Sequence, residues 1–260
     1  MFAFRVRQSY HFSASKWINL AGWGREFIMR FRPALPLAFA LVCIFAVGAV
    51  AQDRGKIEKK VNSLMEKLRI QEAKLLSVSD EDKAAHAGFL SQPDTGITRL
   101  MPREKYDGFL LTRGGGAYFS FVRLTHEYGF GSDLSLERER FRVMFAGADI
   151  GFLTNLGNAP LEGLTLESAG IQFLSSFVAP TKLSDAREQQ QRTGTGFEAL
   201  GSAYKSDVSA AVNVTYALRS INYNNSDVIV AFRTIRQDSD GSMVFLWKIL
   251  KRFPKPALED

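Results

Sequence analysis

A single cysteine, three histidines and eight prolines in 260 residues set the first limits on this chain. The cysteine, Cys43, lies inside an apolar run, and none follows it. Beyond residue 51 there is therefore no disulfide, no thiol nucleophile and no thiolate metal site. A cysteine-free exported chain suits a bacterial periplasm better than a disulfide-stapled extracellular scaffold. Only His86 and His126 follow residue 51, without ligand-type spacing, which excludes an all-histidine zinc site in a monomer. No metal is expected. Charge of one sign is scarcer than the net +6 suggests, because residues 1–51 hold six basic side chains and one acidic one. That leaves 27 Lys and Arg against 26 Asp and Glu over residues 52–260, a balance that gives no footprint for nucleic acid.

Motifs for catalysis and cofactors are also missing in the contexts they need. Residues 113–121, RGGGAYFSF, look like a phosphate-cradling loop, but no G-K-[ST] follows Gly116 and no helix opens there. Glycines at a strand entry serve a bend or a close backbone approach instead. GTGFEA (194–199) fits G-x-G-x-x-[GA], yet a polar helical segment precedes it where a buried strand is required. DSDG (238–241) has Arg236 where a calcium loop begins, and reads as a hairpin turn. Ser202-Ala203-Tyr204-Lys205 is an S-x-x-K without its companion motifs. No cofactor is expected.

What is present begins with a leader. Residues 29–51 run from a basic start (Arg30, Arg32) through an apolar stretch to Ala49-Val50-Ala51, the order of a signal peptide cleaved before Gln52. Residues 1–28 then read as an upstream extension or a long n-region. The rival reading is an uncleaved anchor, since 34–51 is at the lower limit of what spans a bilayer. The chain is accordingly expected outside the cytoplasm, in the periplasm or beyond. The anchored form would face the same side.

Residues 52–78 form an amphipathic helix whose Ile57, Val61, Leu64, Leu68 and Leu75 follow a 4-3-4 spacing broken at Gln71. It either packs on its own domain or forms a short coiled-coil seam between two copies. A second short helix with Ser79 as N-cap and a linker fill 79–96. Residues 97–260 read as a single α+β domain with a mainly antiparallel sheet. Strands are expected at 97–101, 108–112, 117–125, 134–145, 150–155 and 171–178, and a helix at 184–194 between Ser184 and Gly194. The chain closes in a three-stranded meander, 212–222, 227–237 and 242–250.

Among site residues, Asp149 stands in the apolar and glycine-rich MFAGADIGFL, as a turn residue or as a partly buried acid with a raised pKa. With His126 or Glu127 it would form an acid–base pair, and Asp133, Glu137 and Glu139 are further carboxylates nearby. Arg113 and Tyr128 flank the glycine-rich stretch, while Arg219 and Arg233 interrupt apolar strands where they could meet an anionic ligand. The leading expectation is an exported, non-catalytic domain that binds an unknown small molecule or envelope protein across its sheet. The alternatives are an exported carboxylate-dependent hydrolase and a membrane-anchored subunit of an envelope complex.

Overall fold

The structure, a computed structural model, describes residues 35–126, 128–129 and 131–259, and of residues 35–52 only the backbone. The expected leader is thus seen only as helical backbone from Leu35 onward, and the 1–28 segment and Glu127 lie outside the described residues. Among the described residues no helix is long and apolar enough to cross a membrane. The chain divides into two compact units, Met1–Glu58 and Lys59–Asp260.

Helix α1 (Leu35–Leu76) carries the predicted stripe, and Val61, Leu64 and Leu68 lie exposed on it. Next come α2 (Asp80–Ala85) and α3 (Ala87–Leu90), which split the predicted second helix at His86. The Ser79 hydroxyl accepts the Asp82 N–H at 3.1 Å, and three acids load the first turn of α2, as the cap signal predicted.

A five-stranded antiparallel sheet forms the middle of the larger unit. Its strands are β1 (Thr95–Leu100), β5 (Ile150–Asn155), β9 (Thr215–Asn222), β10 (Ser226–Gln237) and β11 (Met243–Arg252), in the order β1-β11-β10-β9-β5. The last three are the predicted meander. A second sheet, β2-β3-β4-β8, contains β2 (Tyr118–Phe119), β3 (Leu134–Glu137), β4 (Arg140–Arg142) and β8 (Asp207–Ser209). Alternation along the meander sends Tyr216, Leu218, Val230, Phe232, Phe245 and Trp247 toward this second sheet, where they meet Phe119, Phe121, Leu134 and Phe141. The opposite set, with Ala217, Ile221, Ile229, Ala231 and Leu246, packs under α5 (Gln172–Ser176), α6 (Leu183–Thr195) and the hairpin β6 (Phe197–Ala199)–β7 (Ser202–Tyr204). The result is three layers, with the central sheet covered on both faces.

Several predicted elements differ. Residues 108–112 form a turn after the short helix α4 (Arg103–Tyr106), leaving Phe109 largely exposed. Residues 171–178 hold α5 in place of a strand, with Leu174 facing the core. Of 117–125 only two residues are strand, and 134–145 folds as two strands joined at Arg138-Glu139, both at positive φ. The helix at 184–194 is present as α6, but Lys182 holds the cap position without a side-chain bond, and Gly196 at φ 87° ends it. Ser184 instead donates to the Asp185 carboxylate.

Candidate functional site

The glycine-rich stretch is built against its neighbours. Gly115 has φ +63°, and a side chain there would run into the Tyr106 carbonyl and the Asp107 nitrogen. A methyl on Gly114 would strike the Tyr118 ring. The turn of 106–112 therefore lies directly on the glycines. At its far end the Glu72 carboxylate of α1 accepts the Leu111 N–H, as well as the Thr112 N–H and hydroxyl at 3.3 Å each. The three glycines thus seat a loop, and no phosphate-binding helix follows them.

That loop forms one wall of a hollow of ≈ 310 Å³. Arg103, Leu111, Arg113, Tyr118 and Tyr128 line it. The rings of Tyr118 and Tyr128 lie 4.7 Å apart, and Phe145 meets Tyr118 edge-on at 5.1 Å. Arg103 stands 5.7 Å from the centre of Tyr118, and Arg113 5.9 Å from that of Tyr128. The two cations differ in one respect. Arg103 is tied to Asp107 at 3.0 Å and to Glu137 at 3.2 Å, whereas Arg113 makes no ion pair among the described residues. Glu137 also accepts the Tyr118 hydroxyl at 2.7 Å and Arg142 at 2.9 Å. Burial raises the pKa of Glu137, but the tyrosine bond and the two arginines outweigh it and hold the acid below its usual range. Burial, then the bond to Glu137, lifts the Tyr118 hydroxyl well above a normal phenol.

Of the residues singled out in the sequence, Arg113 and Tyr128 meet here, joined also by the Tyr128 N–H to the Arg113 carbonyl at 3.0 Å. The other two arginines lie elsewhere. Arg219 is 2 % exposed and grips Asp227 with two bonds of 2.9 and 2.7 Å. It also donates to the Leu174 carbonyl at 2.7 Å, beneath the ring of Phe253. Arg233 donates to Thr215 at 3.0 Å and to Asn158 at 2.6 Å. Arg219 fastens the end of α5 to the sheet and Arg233 the 158–159 loop, so neither stands open on a sheet face.

Asp149 and Asp133 are engaged within the fold. Asp149 follows a turn closed by its own N–H to Ala146, and its side chain accepts the Tyr223 N–H at 3.1 Å. Burial pushes its carboxyl up to about 6, against that bond. Asp133 is fully buried and accepts from Phe121 N at 2.8 Å and from Asn222 at 2.8 Å. Its burial likewise raises it to about 6. Asp133 has no exposed surface and Asp149 is 5 % exposed. Glu139 is exposed on the β3–β4 turn. His126 Nε2 donates to the Arg99 carbonyl at 2.8 Å on β1, with its pKa lowered by burial. Asp149 adjoins β5, so it and His126 sit at opposite edges of the central sheet with three strands between. Among the described residues no group of three or more His, Asp or Glu gathers as a metal site.

Sequence reasoning missed Arg103 and Tyr118 as parts of the hollow, and Glu72 as the anchor of its loop. The alternation in AYFSF placed Tyr118 on a strand but could not say what its hydroxyl meets. The molecule so defined is a three-layer α+β protein with an aromatic and basic hollow at its margin. Comparison of the chain with protein-family models, curated proteins and solved structures finds no match.

Proposed function

We propose that the chain is an exported, non-catalytic binding domain whose ligand sits in the Arg113–Tyr128 hollow. The order of basic start, apolar run and A-x-A site in 29–51 supports export, and the anchored form keeps the same domain outside the cytoplasm on an uncleaved leader. The observation that carries the binding reading is the Arg113 guanidinium, unpaired among the described residues, over the half-exposed ring of Tyr128. A cation with no internal carboxylate takes an anionic group, and the ring beside it takes a flat face. The ligand is accordingly a small molecule with an acidic group next to a planar body. The exposed segment of α1 serves as spacer, or as the seam between two copies.

The reading is tested by ligand-observed NMR with a panel of aromatic carboxylates against the wild type, Arg113→Gln and Tyr128→Ala. Binding to the wild type that falls at least tenfold in both variants, with unchanged melting temperatures, supports the site. A panel that binds nowhere, or binds the variants equally well, overturns it.

A further inference from the structure

A second concavity, ≈ 570 Å³ in volume, lies where the two sheets run into each other. The chain from Ser202 to Ser209 leaves β7, bridges to β5 through reciprocal Leu153–Lys205 backbone bonds of 2.8 and 3.0 Å, and enters β8 beside β4. The cleft it borders is lined by Arg140, Thr154, Asn155, Ser202, Lys205 and Ser209, among others. Its charges are unequal in availability. Arg140 is bound to the Asp207 carboxylate, to the Ser209 hydroxyl at 3.2 Å and to the Asp207 carbonyl at 3.4 Å. Lys205 makes no ion pair or side-chain hydrogen bond among the described residues. Its stem lies over Gly196, where any side chain would press on it. The Asn155 Oδ1 accepts the Gly157 N–H at 2.7 Å, which leaves its NH₂ as free donor capacity of this lining residue. With Arg140 and Asp207 cancelling, one positive charge remains among hydroxyls and an amide donor.

We infer that this cleft binds a sugar acid, a polyhydroxylated small molecule bearing one carboxylate, with the carboxylate on Lys205. A single ammonium neutralises a carboxylate, whereas a phosphate dianion would keep an uncompensated charge. Hydroxyl and amide groups match a polyol and give little to a hydrophobic body. The volume falls in the range of small-ligand sites and admits one or two sugar rings. This site is separate from the Arg113–Tyr128 hollow and does not depend on it.

The test is an amide-resolved NMR titration of the full chain with glucuronate, glucose, glucose 6-phosphate and acetate. Saturable shifts at residues 202–209 with glucuronate, at least tenfold weaker with each of the other three, support the inference. Lys205→Met should weaken glucuronate at least tenfold, while Lys205→Arg restores most of the affinity. The inference is overturned by the absence of saturable shifts at 202–209 with glucuronate, or by equal affinity for glucose or acetate. Tighter binding of glucose 6-phosphate, or an unchanged affinity in Lys205→Met, overturns it as well. Shifts confined to 106–114 would speak for the hollow and against this cleft, so the two readings fail separately.

Discussion

Gly115 shows what a single hydrogen atom in place of a side chain does for this fold. At φ +63° an L side chain is strained, and here it would also collide with backbone that cannot swing aside. Gly115→Ala is expected to destabilise the protein by about 2 kcal/mol or more, since strain and overlap add. Gly163→Ala is the control, because nothing lies within 4 Å of a methyl at that position and its φ is not positive. Equal urea midpoints for the two variants would refute the account. The sequence made the structural role of RGGG legible through the absence of a following helix. What it could not give was the identity of the opposing backbone at Tyr106-Asp107, or of Glu72, whose carboxylate closes the same loop from 40 residues away in sequence.

At the scale of elements, the meander was readable because its turns carry the residues turns need and its strands alternate. Asn224 sits at φ 60° between β9 and β10, and Gly241 at φ 91° between β10 and β11. The hairpin β3–β4 lacked that signal, and β6–β7 carried only half of it, in Gly201. Their two-residue turns are Arg138-Glu139 and Leu200-Gly201, all four at positive φ, a conformation that favours Asn-Gly. A reader of 134–145 therefore sees one long strand where two exist. Leu200→Asn should stabilise the protein by roughly 0.5–1 kcal/mol through relief of left-handed strain, read as a higher melting temperature. A lower melting temperature would show that the exposed Leu200 is held by something the turn geometry does not reveal. The strand predicted at 171–178 failed for a different reason. Its helix ends under the Arg219 guanidinium, which takes the carbonyls of Leu174 and Phe177 at 2.7 and 2.5 Å from more than 40 residues away. Local pattern cannot register a cap supplied by another strand.

On the scale of the whole molecule, two buried acids hold one hairpin. Asp133 reaches the Asn222 side chain and Asp149 the Tyr223 backbone, successive residues at the β9–β10 turn. Each has its carboxyl raised by burial to about 6 from an ordinary 3.8. A raised folded-state pKa means that the native state holds the proton longer than the unfolded chain. The stability these groups contribute is full below about 3.8 and declines as pH rises through about 6. Asp82 and Asp240 act in the opposite sense. Burial raises both, but hydrogen bonds and the arginines Arg236 and Arg99 outweigh it, so their contribution is lost as pH falls below the usual carboxylate range. Between pH 4.5 and 7 the buried pair loses its contribution as pH rises, while His126, whose pKa burial lowers, gains one. The part due to Asp133 is therefore read as the difference between wild type and variant. Asp133→Asn should remove that part, on the order of 3 kcal/mol at most. Urea unfolding at the two pH values measures this, and an unchanged slope in the variant would remove Asp133 from the explanation. The sequence marked Asp149 as a turn residue or a buried acid, and the structure makes it both. The layering that buries these acids was legible only as a class, because the pairing of β2, β3, β4 and β8 into a second sheet joins segments up to about 90 residues apart.

The two rims of the central sheet have a further consequence. On the β1 side the Arg99 carbonyl is taken by His126, and on the β5 side the amide and carbonyl of Leu153 are taken by Lys205. A stray strand approaching either rim meets backbone that is already engaged there, which interrupts the ladder that fibril growth and strand exchange require.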